Sequence, residues 1–249
     1  MSTEPSMQEI EILPDASALE SRACDCFVRL AEKAIHARDR FTVALAGGST
    51  PKRVYTLLAR AQLDWYRIEV FWGDERCVPP DHEDSNYRMA AETLLDQISI
   101  PPENVHRILG ELPATEAARL YEDELRHVFG TPLSRFDLIL LGLGNDGHTA
   151  SLFPGSPVIH EGIRWASPVL LDSLPTPFVD RVTLTPPVIN SAIDVIFLVS
   201  GTEKADILAR VMQNVRRPDL LPAQVVSPVD GRLLWLLDRS AAQGIAYKR

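Results

Sequence analysis

The stretch Gly142-Leu143-Gly144-Asn145-Asp146-Gly147-His148 puts a carboxylate and an imidazole two residues apart on a glycine-rich turn. Histidine is the side chain that gains and loses charge near neutral pH, and a neighbouring carboxylate can orient it, so Asp146 and His148 are candidates for moving a proton. Gly47-Gly48-Ser49-Thr50-Pro51 is a candidate anion cradle. Its glycines let backbone N–H groups turn inward, its hydroxyls add donors, and a helix starting near Pro51 supplies a positive end. Two further glycine loops carry charge: Gly73-Asp74-Glu75-Arg76 offers Asp74 and Arg76, and Gly201-Thr202-Glu203-Lys204 offers Lys204. A cation at the start of a helix opposes the local dipole, so a bound anion explains Lys204 better than stability does. Arg181 opens a strand-like run, where a plain surface charge is the competing explanation. The combined inventory holds an anion and moves a proton.

Several other chemistries lack their signatures. The cradle is not a nucleotide P-loop, because the G-x-x-x-x-G-K-[ST] spacing is missing. Residues 142–147 formally match G-x-G-x-x-G, but the acidic residue that should hold a ribose about 20 positions on is absent, and Asp146 would oppose a pyrophosphate. No H-x-x-x-H or C-x-x-C set accompanies His148, which argues against a metal. Ser49 and Ser151 lack the G-x-S-x-G frame of a serine nucleophile. The remaining histidines, His36, His82, His106, His127 and His160, read as structural.

These loops need a scaffold that brings them together. Short β-rich apolar runs at 41–46, 68–72, 136–141, 179–184, 194–200 and 233–237 alternate with helical spacing at 17–37, 51–60, 85–95, 115–129 and 203–215. That alternation predicts a parallel sheet. Ser85 and Thr115 are expected N-caps, and proline-rich connections fall at 79–80, 101–102, 154–157, 175–177 and 186–187. In such a sheet, loops that follow strands emerge at the carboxyl edge, where open α/β sheets bind ligands. The four glycine loops should therefore meet in one crevice. No repeat or long linker divides the chain, so residues 1–249 are expected to form a single domain.

Composition narrows the partners. The chain has 249 residues and a net charge of -9, the wrong sign for a nucleic-acid partner. The longest apolar runs are far shorter than the ~18 residues of a membrane span, and the N-terminus has no secretory pattern. Three cysteines, with Cys24 and Cys26 two apart in a helical pattern, read as reduced packing residues of a cytoplasmic protein.

Four of these motifs together resemble one known family. They are 45–51 (Leu-Ala-Gly-Gly-Ser-Thr-Pro); 71–76 (Phe-Trp-Gly-Asp-Glu-Arg) followed by Ser85-Asn86-Tyr87; the long run 142–154 (Gly-Leu-Gly-Asn-Asp-Gly-His-Thr-Ala-Ser-Leu-Phe-Pro); and 181–185 (Arg-Val-Thr-Leu-Thr). The chain is similar, from about residue 10 to about 240, to the 6-phosphogluconolactonases, which are grouped with the glucosamine-6-phosphate isomerase/deaminases. The resemblance implies an α/β fold: three Rossmann-like layers, a mostly parallel sheet with helices on both faces. It also implies hydrolysis of 6-phospho-D-glucono-1,5-lactone to 6-phosphogluconate, the second step of the oxidative pentose phosphate pathway, without cofactor or metal.

By the same resemblance His148 activates water, Asp146 assists it and Arg76 balances substrate charge. Gly47, Gly48, Ser49, Thr50, Arg181 and Lys204 are then phosphate and sugar contacts, with Asp74 also in the binding site. The partner is a small sugar-phosphate lactone, and the chain is expected as a monomer or small homo-oligomer. Deaminase relatives carry a glutamate at the position of Phe153, and phenylalanine carries no proton. A non-catalytic sugar-phosphate sensor would bring a DNA-binding module, for which no segment is spare. Everything requires His148 on the same rim as residues 47–50 and 204.

Overall fold

The computed structural model describes residues 8–130, 135–170, 179–213 and 215–245. Its strands are β1 (Gln8–Leu13), β2 (Phe41–Leu45), β3 (Ile68–Trp72), β4 (Asp74–Arg76), β5 (Leu138–Leu141), β6 (Ala166–Val169), β7 (Arg181–Leu184), β8 (Asp194–Val199) and β9 (Arg232–Asp238). Six of them form a sheet in the order β1-β9-β8-β5-β2-β3, with every neighbouring pair parallel. All residues of β2, β5 and β8 are buried, which requires cover on both faces and explains their unbroken apolar runs.

The helices are α1 (Ala16–Arg38), α2 (Ser49–Leu58), α3 (Asn86–Thr93), α4 (Ala114–Phe129), α5 (Pro186–Ser191) and α6 (Ala205–Val211). Helix α1 starts where Asp15 accepts the N–H of Ala18 at 2.9 Å and ends at Asp39 in the left-handed region. It packs against α2 and β9, while α4 covers β6 and β7. A continuous cluster of buried apolar side chains joins these layers, from Leu19 and Phe27 on α1 through the sheet to Tyr121 and Leu125 on α4. The architecture is the α/β fold that the resemblance implies.

Several elements differ from the sequence expectation. The run 179–184 does not join the parallel sheet. Its residues Arg181–Leu184 form the middle of a separate antiparallel sheet, β4-β7-β6. Asp74–Arg76, expected in a loop, is the first strand of that sheet. Helix 203–215 is instead a 3-10 turn at Thr202–Lys204 followed by the shorter α6. Pro113 rather than Thr115 precedes α4, whereas Ser85 does cap α3, accepting the N–H of Arg88 at 3.1 Å. The prolines at 186–187 open α5, because a proline at the first helical position has no N–H to leave unpaired. The proline cluster at 175–177 lies outside the described residues.

Strand order explains the location of the crevice. From β2 the chain passes to β3 on one side, and then to β5, β8 and β9 on the other. The sheet therefore reverses direction between β2 and β5, the place where neighbouring loops diverge. Two buried tyrosines brace the ends of the strands there. Tyr55 of α2 accepts the N–H of Ala46 at 2.9 Å and donates to its carbonyl at 2.8 Å. Tyr121 of α4 treats Trp72 the same way, at 2.9 and 2.8 Å. Each hydroxyl satisfies a backbone pair just where the ladder ends.

Candidate active site

The four glycine-bearing segments line a single open cavity of about 580 Å³ at the carboxyl edge of the parallel sheet. Its wall includes Gly47, Gly48, Ser49, Thr50, Asp74, Arg76, Asp146, His148, Arg181 and Lys204, so every residue singled out from the sequence reaches this one crevice.

The Asp146–His148 pair is built by a tight turn after β5. Gly144 donates its N–H to the carbonyl of His148 at 2.8 Å, and Gly147 donates to Gly144 at 3.0 Å from a left-handed conformation, φ +89°. This fold-back lays the imidazole directly over Gly144, where an added Cβ would stand 2.1 Å from Nδ1. Asp146 accepts the backbone N–H of His148 at 3.0 Å and contacts Nδ1 at 2.6 Å. Burial alone would raise the Asp146 carboxyl, but its bonds to His148 outweigh that and hold it below the usual carboxylate range. An ionised carboxylate only accepts, so Nδ1 carries a proton, and in the neutral ring the lone pair is on Nε2. The other side of the ring packs against Phe153, with centroids 4.7 Å apart.

Helix α2 begins after Gly48, which has φ +107° and no side-chain cap, and Ser49 and Thr50 of its first turn line the crevice. Lys204 lines the same cavity and donates from Nζ to Asn145 Oδ1 at 2.6 Å. Burial lowers the Lys204 ammonium, with Glu203 and Asp146 acting against that shift.

Strand β4 sorts its charges by the period of two. Asp74 and Arg76 face the crevice, while Glu75, 2% exposed, points the other way. The Glu75 carboxyl accepts N–H groups from Arg76, Asn86 and Tyr87 and the hydroxyl of Ser85, at 2.7–3.0 Å. All of these neighbours are donors, which suits a carboxylate even though burial pushes the group upward. Asp74 is also buried, accepting from Ser151 Oγ at 2.6 Å.

Arg181 is not a surface charge. It is 8% exposed and sits opposite Arg76 in the β4–β7 ladder. Directly opposed like charges are destabilising by up to about 1 kcal/mol in a strand pair. Burial, and then Arg76, lowers the Arg181 guanidinium. Among the described residues no carboxylate lies within ion-pair distance of either arginine. Two such cations line the same cavity as Lys204 and the α2 N-terminus, a concentration of positive groups that suits an anion.

Comparison with known proteins agrees with this geometry. The family model described as glucosamine-6-phosphate isomerases/6-phosphogluconolactonase matches residues 14–235. The chain belongs to this family. Among its members, the 6-phosphogluconolactonase of Nostoc sp. (strain PCC 7120) is 43% identical over 93% of this chain and 96% of the relative. That of Synechocystis sp. is 42% identical over 95% and 98%. The solved structure of 6-phosphogluconolactonase from Trypanosoma brucei superimposes with a TM-score of 0.87 at 31% identity, covering 97% of this chain and all of that one. A monomeric glucosamine-6-phosphate deaminase, 20% identical with a TM-score of 0.81, shares the fold.

Three residues that hold the crevice's side chains in place were given no role from the sequence. Asn145 receives Lys204, Ser151 holds Asp74, and Asn86 bonds both Asp74 and Arg76. Asn145 lay inside the glycine turn and could have been found from its position. Ser151 and Asn86 lay inside the motifs 142–154 and 85–87 that carry the family resemblance, but nothing in their own surroundings gave them a role.

Proposed function

We propose that this protein hydrolyses 6-phospho-D-glucono-1,5-lactone to 6-phosphogluconate, with His148 as general base and no covalent intermediate. The observation that carries this reading is the His148–Asp146 pair, 2.6 Å apart, on the rim of the same cavity as the α2 N-terminus and Lys204. The names of the closely similar relatives support the same substrate.

In this mechanism Nε2 of His148 takes a proton from water as the water oxygen attacks the lactone carbonyl. The Asp146 carboxylate stabilises the imidazolium that forms. The tetrahedral intermediate carries a negative oxygen, which a guanidinium on the β4–β7 wall offsets. Its collapse breaks the bond to the ring oxygen, and the proton returns from Nε2 to that leaving oxygen. The phosphoryl group is held by Gly47, Gly48, Ser49, Thr50 and Lys204, with Arg181 and Arg76 lining the same cavity. A lactone is an activated ester, so a base worth roughly 10² to 10⁴-fold and an oxyanion partner suffice.

Phe153 argues against amino-sugar isomerisation, because a ring packed on His148 stands where the deaminases resembled here carry a glutamate. Asp74 is bound into the wall by Ser151 and Asn86. A cytoplasmic setting fits the three cysteines, none of which is paired, and among the described residues no helix is long and apolar enough to cross a membrane. We take the working unit to be a monomer or small homo-oligomer.

The test follows formation of 6-phosphogluconate from freshly prepared lactone, corrected for spontaneous hydrolysis, beside a glucosamine-6-phosphate deamination assay. His148→Ala is expected to lose at least about 100-fold in rate with its fold intact. Wild-type turnover in that variant would overturn the mechanism, and deamination without lactone hydrolysis would overturn the substrate.

A further inference from the structure

Helix α3 is fastened to β4 through its own backbone. The N–H groups of Asn86 and Tyr87, in the first turn of α3, both donate to Glu75, and Ser85 caps the same turn. This fixes Asn86, 2% exposed, on the wall of the crevice. Its side-chain amide then joins two of the site segments. Nδ2 donates to the carbonyl of Asp74 at 2.9 Å, and Oδ1 accepts from Arg76 Nη1 at 2.7 Å. The orientation follows from chemistry, since a guanidinium only donates and the Asp74 oxygens face the amide as acceptors.

The same amide also meets the anion cradle. A Cβ on Gly47 would stand 2.1 Å from Asn86 Oδ1, so the cradle approaches this closely only because residue 47 is glycine. For Arg76, the second acceptor for Nη1 is the carbonyl of Asp84 at 2.8 Å. Nη1 is thereby fully used on the protein, and Nε and Nη2 are left to serve the crevice. Arg181 sits opposite and repels Arg76, so a guanidinium released from Asn86 has reason to swing away.

We propose that Asn86 is a positioning residue: its amide aims Arg76 into the crevice and sets the spacing between Arg76 and the Gly47 turn, so anion binding depends on Asn86 through Arg76. The kinetic consequence rests on the lactonase reading, whereas the anion-binding consequence does not. Asn86→Ala keeps the backbone bonds to Glu75 and removes only the amide, which separates this role from that of anchoring α3.

The experiment is a double-mutant cycle with sulfate as the probe, a tetrahedral anion like a phosphoryl group. Sulfate dissociation constants are measured by NMR titration for the wild type, Asn86→Ala, Arg76→Ala and the double variant. Asn86→Ala is expected to bind sulfate about 10-fold more weakly, the effect of losing one hydrogen bond to a charged group. The double variant should match Arg76→Ala to within about twofold, because one acts through the other. Losses that multiply, or unchanged affinity in Asn86→Ala, overturn the proposal. Should Asn86→Ala not fold, the isosteric Asn86→Asp decides. Its charge opposite Arg76 should weaken sulfate binding at neutral pH and restore it, relative to the wild type, as the pH is lowered; an unchanged ratio overturns the proposal. In the hydrolysis assay KM should rise in step with the sulfate constants. Absence of lactone hydrolysis in the wild type would refute the substrate reading and leave the sulfate cycle to judge Asn86.

Discussion

Asp146→Asn isolates the carboxylate of the proton-handling pair without changing its shape. In the native pair, Asp146 Oδ1 accepts both the backbone N–H of His148 and the proton on Nδ1, at 3.0 and 2.6 Å. An amide can keep the first bond, but it turns the second from a charged to a neutral one. It can also present its NH₂ to Nδ1, which moves the imidazole proton to Nε2 and removes the base. A hydrogen bond to a charged group is worth about 1.5–3 kcal/mol, or roughly 10 to 150-fold in rate. Half of the Asp146 side chain is exposed, 47%, which screens the charge and favours the lower end. The expected loss is therefore about 10 to 50-fold in kcat, with little change in KM, and smaller than for His148→Ala. Background-corrected lactone hydrolysis in the two variants side by side provides the measurement. A rate for Asp146→Asn within about threefold of wild type would refute the orienting role, given the magnitude above. Inactivation as deep as that of His148→Ala would mean that the amide holds the imidazole in the other tautomer, with its proton on Nε2.

Gly144→Ala should place a Cβ against His148 Nδ1 and push the ring off Asp146, lowering kcat by about 10 to 100-fold while circular dichroism stays native; unchanged activity would show that the turn can relax. Far from the crevice, His106 bridges Glu124 and Glu69 at 2.6 and 2.7 Å and stacks on Phe71. Burial disfavours its charge, but the two carboxylates outweigh burial and raise it above the ordinary histidine range. A raised folded-state value means that its stabilisation is complete below about pH 6.5, the unfolded value, and fades as pH rises through the folded value. The melting temperature should fall across that window, and His106→Gln should remove this component; an identical pH profile in the variant would contradict the ion-bridge assignment.

The parts of the fold that the sequence disclosed are those whose burial is two-sided. Strands β2, β3, β5 and β8 read as apolar runs because helices cover them, and the glycines after them mark the loops that converge on the crevice. Elements whose side chains face two environments were hidden. Strand β1 alternates glutamate with isoleucine at the edge of the sheet, and β6 contains Pro168, tolerated because β6 is an edge strand. Strand β4 is three charged residues, which look like a solvated run until pairing with β7 divides them between the crevice and α3. Asn86 stood in a family motif, but its contacts could not be read there, since they arise from three segments that only the folded chain brings together.

Glu75 gives the crevice a selectivity that composition does not reveal. Two helices, α2 and α3, begin beside it, and each would attract a negative ligand through its leading amides. The protein supplies α3 with an internal counterion, a carboxylate that it carries on β4, and supplies α2 with a bare glycine. An incoming anion therefore meets one attractive helix terminus instead of two rivals.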